Sequence, residues 1–197
     1  MKIGVLALQG GFIEHINMLG KLGVTAMPVY NPGDLEDLCG LIIPGGESTT
    51  ILKLLHSSNL FNLIKEKTQA GLPVMGTCAG MVLMAKEVLN PDMETLALMD
   101  IAVKRNAFGR QVDSFEADID LLALNGKTFP AIFIRAPVID STGAGVEVLG
   151  RLEDGTAVAV RQGNLMALSF HPELSHDTRL HRYFLEIVKG CLREVAF

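Results

Sequence analysis

The sequence predicts an α/β fold: an open, mostly parallel sheet with helices on both faces and an antiparallel extension. Three observations predict it. Short apolar runs alternate with amphipathic stretches through the first half of the chain. Strand-like segments separated only by turns fill the second half, and the chain ends in one strongly periodic helix.

Residues 2–8 read as a buried strand, and 12–22 as a helix carrying Phe12, Ile16, Leu19 and Leu22 on one face. A strand-like 24–29, a Pro/Gly turn at 31–33 and the apolar Leu41-Ile42-Ile43 follow. Residues 50–69 read as helical with a break near Ser57-Ser58-Asn59, Leu72–Met75 as a fourth strand, and 80–89 as a helix. Strands separated by helices imply right-handed crossovers and a parallel sheet covered on both faces. Segments 99–104, 115–121, 129–134, 146–151, 156–161 and 164–169 then suggest hairpins and the antiparallel extension. The last helix, 178–194, places Leu180, Phe184, Ile187, Val188, Cys191 and Leu192 at helical spacing. No repeat, low-complexity tract or linker interrupts the 197 residues, which fit a single domain over 1–197.

Apolar residues make up 49% of the chain and charged residues 20%, a globular balance that excludes a disordered chain. The net charge is −5 with no basic run, so nucleic acid and anionic membranes are not expected partners. The apolar stretches are strand-length, well short of the ~20 residues of a spanning helix. The N-terminal Met1-Lys2-Ile3-Gly4-Val5-Leu6 enters a strand directly, without a signal peptide's longer apolar core. Cys39, Cys78 and Cys191 are widely spaced and form no CxxC or Cys/His cluster, which suggests neither a disulfide framework nor a zinc site. A cytoplasmic protein is expected, with no metal and no cofactor.

The chemistry concentrates at Met75-Gly76-Thr77-Cys78-Ala79-Gly80, where an apolar strand meets an apolar helix through a Gly-x-Cys-x-Gly turn. This is a nucleophile elbow with cysteine in the serine's place. The helix N-terminus behind it favours thiolate over thiol. Alone, the motif equally fits a small buried cysteine in a tight turn. Its company decides the reading. Ser169-Phe170-His171-Pro172-Glu173 closes a strand, and the proline biases His171 toward extended geometry. Residues i and i+2 then share a side, so Glu173 can orient the imidazole of His171 toward Cys78. Without the elbow, a surface turn would explain His-Pro-Glu as well. Pro44-Gly45-Gly46-Glu47-Ser48 forms a Gly-rich loop at the end of the third strand but does not match a phosphate loop. It reads better as half of an oxyanion hole, the backbone N–H near Gly46 joining that of Ala79.

Together these segments resemble the class I (triad) glutamine amidotransferases, a flavodoxin-like three-layer α/β family. Gly4 to Gly10, Glu14-His15, the stretch from Arg105 to Glu116, and Phe133-Ile134-Arg135-Ala136-Pro137 are similar, more narrowly, to the glutaminase subunits of pyridoxal 5'-phosphate synthase. The resemblance runs from residue 3 to about residue 174. It implies hydrolysis of L-glutamine to glutamate and ammonia through Cys78, His171 and Glu173. The ammonia would pass to a synthase subunit, in a large ring-shaped complex, that builds pyridoxal 5'-phosphate from ribose 5-phosphate and glyceraldehyde 3-phosphate. It also places glutamine contacts on Gly46, Glu47, Ser48, Arg105, Ile134 and Arg135. A guanidinium suits the α-carboxylate and Glu47 the α-ammonium, although Arg105 and Arg135 taken alone also read as strand-end charges.

Gln9 is expected to shape the pocket floor or the partner surface. His15 reads equally as a partner contact or an ordinary surface residue. His56, His176 and His181 read as surface positions, and Cys39 and Cys191 as small apolar fillers. Three other readings share parts of this pattern: a glutaminase of another biosynthetic amidotransferase, an elbow-cysteine hydrolase with its histidine elsewhere, and a catalytically idle scaffold.

Overall fold

Period-two alternation in the strands sorts the apolar side chains into two cores. In the computed structural model, which describes residues 1–105, 114–124 and 127–194, Leu41 and Ile43 point into one core and Ile42 into the other. Val74 and Met75 divide in the same way, as do Leu165 and Ala167 against Met166 and Leu168. A strand buried on both faces belongs inside a parallel sheet covered by helices.

The elements in order are β1 (Lys2–Leu6), α1 (Phe12–Lys21), β2 (Thr25–Val29), β3 (Gly40–Ile43), α2 (Ser48–Ser57), α3 (Leu60–Gln69), β4 (Val74–Thr77) and α4 (Ala79–Met84). They continue as β5 (Ala85–Leu89), β6 (Met99–Lys104), β7 (Ser114–Asp120), β8 (Thr128–Ile134), β9 (Val138–Thr142), β10 (Glu147–Arg151), β11 (Ala157–Gln162), β12 (Leu165–Leu168) and α5 (Arg179–Glu194). The main sheet runs β10-β11-β12-β4-β3-β1-β2, parallel from β12 to β2 and antiparallel at the β10-β11-β12 edge. This is the expected class, a mostly parallel sheet with an antiparallel extension. The residues of α2, α3 and α4 pack on one face; α1, α5 and the β7-β8 hairpin pack on the other.

Three elements differ from the sequence reading. The helix expected over 80–89 stops at Met84, and Ala85–Leu89 is a strand paired in parallel with β6. All six residues of α4 are buried, so the apolar run carries no periodicity to mark its end; the alternation resumes with exposed Lys86 and Glu87 beside buried Val88. Strand β9 was not anticipated; it pairs antiparallel with β6, completing a small second sheet β5-β6-β9. In α5, Leu180, Phe184 and Val188 are fully buried, but Leu192, in the last turn of the helix, is exposed.

The register sets the ends of the parallel strands level. Ile43 pairs with Gly76, and Thr77 with Leu168, so four chain segments leave the sheet side by side after β1, β3, β4 and β12. At this edge an open α/β sheet presents its loops to a ligand. The elbow between β4 and α4 depends on two glycines. A Cβ on Gly80 would lie 2.0 Å from the Ile43 carbonyl oxygen, and one on Gly76 would lie 2.7 Å from the Gly80 carbonyl carbon. Backbone cannot yield as a flexible side chain does. Gly80→Ala is therefore expected to destabilise the chain by about 2–3 kcal/mol through forced separation of α4 from β3. Urea unfolding checks this, with Gly190→Ala, where a Cβ meets nothing within 4 Å, as the control.

Candidate active site

Cys78 follows β4 at the turn into α4, with φ +48° and ψ −106°, a strained conformation for a residue with a Cβ. Its N–H donates to the Leu168 carbonyl at 2.8 Å, which pins the elbow to β12. The side chain is 7% exposed, and Sγ lies 3.9 Å from the Ile134 carbonyl oxygen on β8. Three residues past the end of β12, the His171 N–H donates to the Ile132 carbonyl at 2.8 Å, so the β7-β8 hairpin fixes the histidine from the other side. Pro172 then opens the 3-10 turn Pro172–Leu174. The triad residues are thus held by backbone bonds to two different sheets.

Glu173 folds back under His171, and its Oε1 accepts from Nδ1 at 2.7 Å. The carboxylate is almost fully buried. Burial would raise its pKa, but the facing His15 ring and the hydrogen bond and charge of His171 hold it below the usual carboxylate range. Burial also lowers the His171 pKa, yet the hydrogen bonds to the Cys78 sulfur and to Glu173 outweigh it and push the value up to about 10. At that value His171 holds a proton at neutral pH. Gly45 makes this proximity sterically feasible, since a Cβ there would sit 2.3 Å from His171 Cε1 and 3.3 Å from Cys78 Cβ.

A cleft of about 420 Å³ opens over the sulfur. Cys78, Ala79 and His171 form its floor. Gly46, Glu47, Ser48, Arg105, Ile134 and Arg135, every residue expected to contact substrate, also line it, as does Gln9. Val82 and Pro137 complete the wall and were not anticipated, because an apolar lining residue carries no sequence signal of its own. Gln9 Oε1 accepts from the Glu47 N–H at 2.8 Å, so this side chain shapes the cleft by holding the loop after β3. The Glu47 carboxylate caps α2, accepting from Thr50 N–H at 2.7 Å and from both threonine hydroxyls. The Thr49 hydroxyl bond leads the donors that hold its pKa at about 2, so it faces the cleft as a fixed anion with Arg105 Nη2 at 3.4 Å. Arg135 has φ +42°, a second left-handed residue in the cleft wall.

The Gly45 carbonyl accepts from Gly11 N–H at 3.0 Å. The N–H of Gly46, on the opposite side of that peptide, makes no hydrogen bond among the described residues. The Ala79 N–H is the first of α4 and has no intrahelical acceptor. Asn106 to Asp113, part of the stretch singled out in the sequence, lie outside the described residues. Among the described residues no group of three or more His, Cys, Asp and Glu side chains is arranged to hold a metal ion. No helix among them is long and apolar enough to cross a membrane.

The profile of the SNO glutamine amidotransferase family matches residues 5–190. The chain belongs to that family. Within it, the chain is 60% identical over 191 residues to "Pyridoxal 5'-phosphate synthase subunit PdxT" of Dehalococcoides mccartyi, covering 96% of this chain and 98% of the relative. It is 55% identical over 186 residues to the protein of the same name from Pelotomaculum thermopropionicum, covering 94% of each. A crystal structure of a glutamine amidotransferase superposes with a TM-score of 0.90 at 49% identity, over 95% of this chain and 98% of the other.

Two histidines are not where the sequence reading put them. His15, read as a partner contact or surface residue, is fully buried beneath the cleft, and so is His181. Both sit on the apolar faces of their helices: His15 falls three residues after Phe12 and four before Leu19, and His181 three before Phe184. The spacing therefore carried the signal, and the polar residue type masked it. Desolvation holds both rings below the ordinary histidine value, His181 at about 3, so at neutral pH both are uncharged in the folded chain. On unfolding below about pH 6.5 each takes up a proton, and stability falls as pH is lowered from there. His171, held at about 10 in the folded chain, offsets part of that slope near pH 6.5 and stops doing so once the unfolded chain is fully protonated at lower pH, and the stabilisation from Glu173 is lost only below its ordinary value. The free energy of urea unfolding is expected to fall below pH 6.5, and His181→Phe to make that slope shallower by up to about 1.4 kcal/mol per pH unit. An unchanged slope would mean that His181 is charged or hydrated in the folded chain.

Proposed function

We propose that this chain hydrolyses L-glutamine to L-glutamate and ammonia through Cys78, His171 and Glu173, as the glutaminase subunit of a pyridoxal 5'-phosphate synthase. The observation that carries the reading is the strained cysteine at a helix N-terminus beside a histidine whose other nitrogen is held at 2.7 Å by a buried carboxylate. That set of groups in that order suits covalent catalysis by an activated thiol. Membership of the SNO glutamine amidotransferase family and two PdxT relatives at 55–60% identity support the substrate and the pathway.

In this mechanism glutamine lies in the cleft with its side-chain amide over Sγ. Arg105 or Arg135 meets the α-carboxylate, and the Glu47 anion the α-ammonium. The thiolate adds to the δ-carbonyl carbon, and the oxyanion is received by the N–H groups of Ala79 and Gly46. His171 gives its proton to the amide nitrogen, the C–N bond breaks, and ammonia leaves a γ-glutamyl thioester on Cys78. The neutral imidazole then takes a proton from the attacking water. Collapse of the second tetrahedral intermediate expels the thiolate, restores the charged His171 and frees glutamate.

Free ammonia in water is mostly protonated and no longer nucleophilic, so the reaction is useful only when a synthase subunit receives the product directly. That favours a glutaminase held back until the partner docks. The Gly45–Gly46 peptide is the candidate gate: its carbonyl is held by Gly11, and glycines on both sides permit it to turn. Docking on the segment that includes Gln9 and Gly11 would bear directly on that bond. Glutamate release by the purified chain is expected to be low alone and much higher with a pyridoxal 5'-phosphate synthase subunit. Cys78→Ala is expected to reduce it by roughly 10³-fold or more in either state. Release that persists in Cys78→Ala would refute the triad; equal release with and without the synthase would refute the gate and leave the triad standing.

A further inference from the structure

Behind the triad lies a polar chain that the mechanism above does not use. His15 Nε2 is 3.3 Å from Glu173 Oε2, the carboxylate oxygen that His171 leaves free. The same nitrogen is 3.2 Å from Thr77 Oγ1. His15 Nδ1 is 2.9 Å from His181 Nε2. Thr77 Oγ1 in turn accepts from Gly45 N–H at 3.0 Å. Every one of these side chains is buried, and they come from α1, β4, α5 and the turn after β12.

The chemistry allows one assignment of protons that leaves no conflict. A lone pair on His15 Nε2 would face the Glu173 carboxylate at 3.3 Å and repel it, so that nitrogen carries the hydrogen. The hydrogen bond runs to Thr77, and Glu173 Oε2 lies beside the same N–H at 3.3 Å with no other donor among the described residues. His15 Nδ1 is then an acceptor, and His181 Nε2 must donate to it. That leaves His181 Nδ1 as a bare lone pair, and this buried atom has no partner. An unpaired ring acceptor there costs less than an unpaired N–H. All the N–H dipoles along the chain therefore point toward Glu173.

We propose that His15, set in its tautomer by His181, is a positioning residue of the active site: its Nε2–H holds the second oxygen of Glu173 while its contact with Thr77 ties that carboxylate to the strand that carries Cys78 and to the Gly45 loop. One buried ring thereby connects the base-orienting carboxylate with the oxyanion loop. The charged and titratable groups that bear on it are Glu173 and His171 from the turn, His181 from α5 and Glu14 from its own helix, with Lys21 acting on His181. The inference rests on the glutaminase reading for its kinetic consequences, but not for its proton assignment.

Nitrogen-15 NMR of the histidine-labelled wild-type chain reads that assignment directly. His15 is expected as the neutral Nε2–H tautomer at about pH 8, taking up a proton only below the ordinary histidine value. An Nδ1–H tautomer, or titration near the ordinary value of about 6.5, overturns the proposal whatever any variant does. His15→Leu, assayed with the synthase subunit, is expected to lower kcat for glutamate release about 10–100-fold, the range seen when a group that orients a functional histidine is removed. The KM for glutamine should stay within about twofold, since His15 does not line the cleft. The acid limb of Cys78 alkylation by iodoacetamide, measured on the chain alone, is expected to move up by about one pH unit as Glu173 loses its donor. His15→Gln, whose amide N–H can reach the same oxygen, should recover most of both losses. Wild-type kinetics and an unmoved acid limb in folded His15→Leu overturn the proposal, as does a His15→Gln variant as impaired as His15→Leu with the limb unmoved. Failure of wild-type, Cys78-dependent glutamate release would instead count against the glutaminase reading, and the NMR and alkylation outcomes would still decide the role of His15.

Discussion

A carboxylate buried as deeply as Glu173 is the constraint on which the rest of the site depends. Removing an ionised group from water costs several kcal/mol unless hydrogen bonds and opposite charge replace the lost hydration. Glu173 has three sources of replacement: His171 at 2.7 Å on one oxygen, His15 at 3.3 Å on the other, and the compact turn Pro172–Leu174 that presents it. Each carries a structural demand. His171 must stand at the end of β12 with its backbone pinned to β8; His15 must reach in from α1; and α1 must therefore pack against that turn. The placement of the first helix follows from the needs of a residue more than 150 positions later in the chain.

The second constraint is distance between backbones. Cys78 can approach both His171 and the oxyanion donors only if β4, α4 and the loop after β3 come closer than side chains allow. Gly45, Gly76 and Gly80 supply that clearance, each at a point where a single methyl group would collide with backbone or with the catalytic imidazole. The local cost appears in the left-handed φ of Cys78, a strain that the surrounding strand bonds hold in place. Rigidity of this kind favours catalysis, because the nucleophile and the Ala79 donor beside it need not reorganise when the tetrahedral intermediate forms.

Much of this was legible before the structure. The continuous apolar run Leu41-Ile42-Ile43 and the β-α sequence of the first half marked the parallel sheet, and the elbow, Gly-rich loop and His-Pro-Glu turn located the cleft. These signals are local, each carried within about six residues. What could not be read was either non-local or hidden by residue type. The end of α4 and the β5-β6-β9 sheet depend on pairing between distant segments, since an entirely apolar run such as Met81 to Met84 has no period of its own. Val82 and Pro137 line the cleft only because other elements bring them there. His15 and His181 fell at core positions of their helices, yet the ordinary preference of histidine for partial exposure argued against burial. Their partners, on elements distant in the chain, made burial possible.

The choice of histidine at position 15 follows from what Glu173 must do. A lysine or arginine there would pair with the carboxylate as a full cation and draw its charge away from His171, weakening the support of the imidazolium on which ammonia release depends. An apolar residue would leave Oε2 buried with no donor, and the carboxyl group would answer by taking a proton. A neutral ring, kept neutral by its own complete burial, donates one hydrogen bond without competing for the charge. The same burial that appears costly for His15 thus sets its protonation state. His181 then selects which of its two nitrogens faces the carboxylate, so four residues from four elements define the electrostatics at a single oxygen.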